Sequence, residues 1–189
     1  MRPAAVRAGA QGEVIPGLPE RFQAGRLDLR PLEDADRPLY ISLYTDADVM
    51  CHVGAPLSTE AASRAFEAVR RQMRRDPPQA WYWVACVRGS GRDAGLLALM
   101  FDPGRGSAEF GMLMFPWAQG RGHATEAVAA LVAHAFADPG APGQGGGVSR
   151  LHTRHARGHP AGPRVMEKLG FVAAPAGGGM LHWYLDRPG

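Results

Sequence analysis

The chain has little cysteine, almost no lysine and no long apolar run. Its two cysteines, Cys51 and Cys86, stand in unrelated contexts without metal-ligand spacing. Two thiols in 189 residues do not build a disulfide scaffold, so both are expected to be free. No run is long enough to span a bilayer, and residues 1–20 lack the apolar stretch of a secretory signal. These absences exclude the disulfide-stapled and membrane-spanning classes, and a cytoplasmic protein without a membrane partner is expected. Lys168 is the sole lysine among 21 basic residues; the rest are arginine. The guanidinium fork suits phosphate, but arginine is also the default basic residue of GC-rich coding, so the bias names no partner. The net charge is only +3, and no specific nucleic-acid partner is expected.

Apolar residues make up 46% of the sequence, enough for a substantial core in one domain. Residues 1–22, rich in Ala, Gly and Pro, predict a flexible leader, and 23–189 the folded domain. Residues 26–30 alternate and predict a short strand stopped by Pro31. Residues 32–50 predict helix in a longer and a shorter piece. Ser58, with Glu60 behind it, marks the start of a helix that ends before Pro77. The period then changes: 81–87, 95–101 and 107–115 predict three strands of an antiparallel meander. An apolar-periodic helix follows to about residue 138, then a glycine-rich flexible loop at 139–148. A strand at 150–155, a helix at 163–169 and strands at 171–172 and 180–185 complete the chain. This order implies one mixed α/β (α+β) layer fold, with a mostly antiparallel sheet of 6–7 strands flanked by helices.

The most informative segment is Trp117-Ala118-Gln119-Gly120-Arg121-Gly122-His123-Ala124-Thr125-Glu126, set between a strand and a helix. Glycines at a helix entry let backbone approach a ligand closely. A helix N-terminus offers unpaired N–H groups and partial positive charge, which suit a phosphate or pyrophosphate. A dinucleotide or nucleoside-triphosphate loop fits poorly. The third glycine of the first fingerprint is missing, and no Gly-Lys-Ser/Thr follows.

Gln119-x-x-Gly122-x-Ala124 resembles the Arg/Gln-x-x-Gly-x-Gly/Ala motif of the GNAT N-acetyltransferase superfamily. Arg164-Val165-Met166-Glu167-Lys168-Leu169-Gly170-Phe171 is similar to a segment common near the end of its members. The opening RLDLRPLEDAD resembles one branch, which acetylates the N-terminal amino groups of ribosomal proteins. The resemblance implies a GNAT-like single domain with a splay between the strands at 107–115 and 149–155, near a bulge. It implies acetyl-CoA as acyl-donor substrate, no metal, and transfer to a primary amine by direct attack in a ternary complex. The amine would belong to a small molecule or to a peptide or protein N-terminus. A homodimer fits this branch, although no dimer-specific signal stands in the sequence.

Residue by residue, the resemblance puts the CoA pyrophosphate on Gln119, Gly120, Arg121, Gly122, His123, Ala124 and Thr125. It puts the pantetheine arm on the backbone of Met112, Leu113 and Met114. Glu109 is the candidate base, acting through water; the plainer reading is an exposed strand carboxylate in a hairpin with Arg105. The N–H of Met114 is a candidate oxyanion donor. Three positions depart from the pattern. Met166 replaces the usual Tyr general acid, and His159 and Gly162 replace an Asn and a Ser that meet the cofactor arm. His159 still offers a ring N–H. These departures motivate an alternative, a catalytically weakened acyl-CoA-binding regulatory module. His152 and His155 point to opposite strand faces, so they and His159 do not read as a metal site. Trp81, Tyr82 and Trp83 read as core, and Arg70, Arg71, Arg74 and Arg75 as a solvated helix end.

Overall fold

A computed structural model describes residues 20–103, 106–137, 148–174 and 179–189. The leader up to residue 19, Arg105 and nearly all of the 139–148 loop lie outside the described residues. The strands are β1 (Phe22–Ala24), β2 (Leu27–Pro31), β3 (Ala80–Val87), β4 (Arg92–Phe101), β5 (Ser107–Met114), β6 (Arg150–Ala156), β7 (Val172–Ala174) and β8 (Met180–Asp186). They form one sheet in the order β1-β2-β3-β4-β5-β6-β8-β7. Every pairing is antiparallel except β5 with β6, which run parallel. The helices are α1 (Arg37–Thr45), α2 (Ala47–Met50), α3 (Thr59–Met73), α4 (His123–Ala137) and α5 (Gly162–Lys168).

The sheet is buried on both faces, and strand alternation decides which side chain goes where. On β3, Trp81, Trp83 and Ala85 join Val128 and Leu131 of α4 in one apolar cluster. Tyr82 and Val84 face the opposite way, into a cluster with Tyr40 and Leu43 of α1 and Phe66 and Val69 of α3. The aromatic run is therefore core on both sides of the sheet. Ser58 accepts the Ala61 N–H at the start of α3, and Asp46 accepts the Asp48 and Val49 N–H groups at the start of α2. Arg70 and Arg74 near the end of α3 both bond Asp34. Two of the four arginines there are thus tied to the protein.

Three expectations change. The sheet has eight strands, not six or seven, because β1 starts at Phe22, the last residue of the expected leader. Phe22 is buried and packs edge-on against Trp83 at 5.4 Å. The bulge expected on the strand that splays is also displaced. Pairing of β5 with β4 runs without a shift from Phe101↔Ala108 to Gly95↔Met114. The irregularity lies between β3 and β4, at Ala85/Cys86. The splay itself is there, and its cause is the end of a short parallel pairing, which covers only Ser107↔Arg150, Ala108↔Leu151 and Glu109↔His152. Beyond that point β6 keeps its partnership with β8 up to Ala156 and leaves β5.

Candidate active site

The split between β5 and β6 exposes backbone that a continuous sheet would use. Phe115 donates to Ala94 O and Asp102 donates to Ser107 O, so odd-numbered residues of β5 turn their backbone groups toward β4. Alternation then turns those of Met112 and Met114 into the split. Leu113 keeps its N–H and C=O on the β4 side and lines the cavity through its side chain. The Gln119 side-chain amide donates to Met114 O at 3.0 Å, which occupies that carbonyl and leaves the Met114 N–H facing the gap.

Past β5 the chain makes a 3-10 turn at Pro116–Ala118 and enters the glycine segment. Gly120 (φ 69°) and Gly122 (φ 83°) both lie in the left-handed region, where a Cβ would be strained. The first α-helical bond runs from Glu126 N–H to Gly122 O, which leaves the four preceding N–H groups without intrahelical partners. Among the described residues no protein group accepts the N–H of Gly120, Arg121, Gly122, His123, Ala124 or Thr125. The Gln119 N–H, in contrast, bonds Pro116 O. The Arg121 side chain turns back to Trp117 O, 2.9 Å, and does not line the cavity. His123 is only 5% exposed, and its Nδ1 has no partner.

One device holds this loop. Arg26, in the turn after β1, donates to both carboxylate oxygens of Glu126 and, through its guanidinium, to Arg121 O at 2.5 Å. Gly25 makes the turn possible, since a Cβ there would lie 2.4 Å from Glu126 Oε2. The Arg26 guanidinium also holds the Glu126 carboxyl below its ordinary value.

A cavity of about 750 Å³ runs through the split. On the α4 and α5 side it is lined by the glycine loop, Thr125, Val128, Gly162 and Met166. On the α1 and α2 side it is lined by Tyr44, Asp48, Val49, His52, Met100 and Glu109. Glu109 stands where β5 and β6 part, with its side chain 28% exposed and Arg154 Nε 3.2 Å away.

The histidines of the region have different states. Trp183 Nε1–H donates to His155 Nε2 at 3.0 Å, and His155 Nδ1 lies 2.9 Å from Ala156 O. The buried His155 is therefore a neutral Nδ1–H tautomer with both nitrogens engaged. A Cβ on Gly162 would lie 2.6 Å from His155 Nε2. The glycine at that position is the space that the His155 ring fills. His159 Nδ1 accepts the Ala161 and Gly162 N–H groups, both at 3.3 Å, so a neutral ring carries its proton on Nε2. Burial, with the His52 and His155 imidazoles beside it, pushes His159 down to about 4. His52 stacks on it at 4.4 Å. His152 lies apart, 2.8 Å from Asp102. Among the described residues no group of three or more His, Cys, Asp or Glu side chains is arranged to hold a metal ion.

The expected loop, β5 edge, Glu109 and His159 thus converge on one cavity, with Arg121 directed away from it. Sequence reading missed His52 and Arg26. His52 lies in the turn after α2, two residues past Met50, and belongs to no motif that the sequence offers. Arg26 looked like an ordinary strand residue.

Solved structures share this architecture. An acetyltransferase from Agrobacterium tumefaciens str. C58 is 21% identical, with 93% of this chain and 99% of that one covered and a TM-score of 0.70. Spermidine N-acetyltransferase from Vibrio cholerae, in complex with CoA and spermine, is 19% identical, with 86% and 96% covered and a TM-score of 0.68. RimL, the ribosomal L7/L12 alpha-N-protein acetyltransferase, in complex with CoA, is 16% identical, with 92% and 98% covered and a TM-score of 0.68. At these identities the likeness concerns the fold. No curated protein matches the chain in sequence. The Acetyltransferase (GNAT) domain family matches residues 26–172, a span that holds the split, the glycine loop and α5. The chain belongs to the GNAT acetyltransferase domain family.

Proposed function

We propose that this chain is an N-acetyltransferase that moves an acetyl group from acetyl-CoA to a primary amine by direct attack in a ternary complex. The observation that carries this reading is the set of unpartnered N–H groups at Gly120, Gly122, His123, Ala124 and Thr125, residues that line the same cavity as the freed edge of β5. The residues fit the cofactor. The glycine loop and the start of α4 offer donors for a pyrophosphate, and the backbone of Met112 and Met114 offers groups for an extended amide arm. His159, with its proton on Nε2, adds a donor at the entry of α5. When bound, acetyl-CoA supplies the activated acyl thioester. The amine would reach it from the α1 and α2 side, where Glu109 attracts an ammonium to the mouth of the split. The Met114 N–H, facing the gap, supports a role as oxyanion donor.

In this reading the acyl-CoA N-acyltransferase domain expected at 23–189 begins one residue earlier, with β1, and the protein works in the cytoplasm. No helix among the described residues is long and apolar enough to cross a membrane. The acceptor is a small amine or a peptide N-terminus, as the spermidine enzyme and RimL are named for such substrates. The test is release of free thiol from acetyl-CoA with spermidine, phenethylamine and an alanyl-led peptide. Transfer to at least one is expected; none, with no acetyl-CoA binding, would sink the reading.

One observation favours a second reading, a binding module that has lost turnover. Met166 is buried and supplies no proton donor where the family often has Tyr. Tight acetyl-CoA binding without transfer to any amine would select it.

A further inference from the structure

The transfer reaction leaves one chemical requirement open, and the inference below rests on the transferase reading. An acceptor amine is an ammonium near neutrality and must lose a proton before its lone pair can attack. The cavity wall that faces the acceptor holds few groups able to take that proton. They are Asp48 from α2, Glu109 from β5, His155 from β6, His159 before α5, and His52. The cations that line the cavity are Arg154, Arg164 and Lys168.

Most of these are committed elsewhere. His155 donates through one ring nitrogen and accepts through the other, so it has no free lone pair. His159 spends its Nδ1 lone pair on two backbone N–H groups, and burial disfavours its charged form. Burial likewise pushes the hydroxyls of Tyr44 and Tyr82, in the same wall, well above their ordinary value. Glu109 is already engaged by the Arg154 guanidinium at 3.2 Å, and a fixed carboxylate at the mouth of the split suits an anchor for an ammonium. The Asp48 carboxylate has no protein partner among the described residues, and His52 differs from the rest. Neither of its ring nitrogens has a protein partner among the described residues, and its ring is fixed by stacking on His159 at 4.4 Å. Its backbone is fixed too, since His52 O accepts the Ala156 N–H at the end of β6. Imidazole is also a stronger base than a carboxylate near neutrality.

We infer that His52 is the general base of this enzyme, taking the proton of the acceptor ammonium directly or through one water while Glu109 holds the ammonium at the split. The step balances. R–NH3⁺ gives one proton to His52, and the neutral nitrogen forms the N–C bond to the acyl carbon as the C–S bond breaks. The second nitrogen proton ends on the departing sulfur as free thiol, and His52 returns its proton to solvent.

The test compares pH profiles of kcat and kcat/KM for the wild type, His52→Gln and Glu109→Gln. The acceptor is whichever of spermidine, phenethylamine or the alanyl-led peptide the wild type acetylates fastest. His52→Gln is expected to lower kcat about 100-fold, to leave the KM for acetyl-CoA within about twofold, and to abolish the acidic limb of the profile. Glu109→Gln is expected to raise the KM for the amine and keep that limb. Partial rescue of His52→Ala by added imidazole would support the assignment. The thermal shift with acetyl-CoA checks that each variant is folded and binds. A His52→Gln enzyme that binds acetyl-CoA and keeps the wild-type kcat and acidic limb overturns the role of His52 alone. A wild type that binds acetyl-CoA and acetylates no amine overturns the transferase reading, and this inference with it.

Discussion

Gly162 and His155 share one space. The departure at position 162, which in the sequence reads as the loss of a useful hydroxyl, is in the structure the complement of a buried imidazole. A Cβ on Gly162 would meet three ring atoms of His155 at 2.6–2.9 Å. Gly162→Ser is therefore expected to destabilise the fold by about 1–3 kcal/mol through overpacking. Adding His155→Ala should recover part of that loss, which urea unfolding of the two single variants and the double variant measures. His159 allows a second test at this scale. Its ordinary value is about 6.5, and in the fold it is pushed down to about 4. Between those values the unfolded chain binds a proton that the folded chain refuses, so stability falls as pH drops through that window. Asn can accept the same two N–H groups without titrating. His159→Asn is expected to flatten the dependence of Tm on pH between about 6.5 and 4 relative to the wild type; an unchanged slope would contradict the lowered value of His159 in the fold.

Between elements, the main device is the clamp from the β1–β2 turn to the first turn of α4. Arg26 bonds Glu126 and Arg121 O together, so one side chain sets both the helix start and the loop before it. Glu126→Gln weakens the ion pair while keeping one acceptor oxygen. We expect the KM for acetyl-CoA to rise about tenfold, a loss of about 1.4 kcal/mol, with kcat nearly constant, as steady-state kinetics with the acceptor held saturating would measure. A fall in kcat without a change in that KM would show that the clamp does not act through the loop. The elements themselves were mostly legible. The period change after Pro78 announced the meander, and Ser58 announced α3. What escaped was β1: three residues carry no periodicity, and only pairing with β2 makes a strand of them. The splay came from resemblance, and its cause was misplaced on a bulge. A three-residue parallel pairing leaves no mark in the sequence of either strand.

On the scale of the whole molecule, the sheet is covered on both faces, and the split lets one cavity pass from the α4–α5 face to the α1–α2 face. In the proposed transfer that topology would keep the two substrates apart: the glycine loop opens on one side, and Glu109 and His52 on the other. The loop side was readable because its chemistry sits in consecutive residues. On the acceptor side Glu109 was named through the resemblance, but His52 was not, because the two come from distant stretches brought together only by the fold. The central claim is that the N–H groups at 120–125 hold a pyrophosphate. The most direct measurement is calorimetric titration of the full chain with acetyl-CoA and, separately, with S-acetylpantetheine, which lacks the pyrophosphate. Acetyl-CoA is expected to bind one per chain in the micromolar range, about −8 kcal/mol, and S-acetylpantetheine at least about 100-fold more weakly. Equal binding of the two compounds, or no saturable binding of acetyl-CoA, would contradict it.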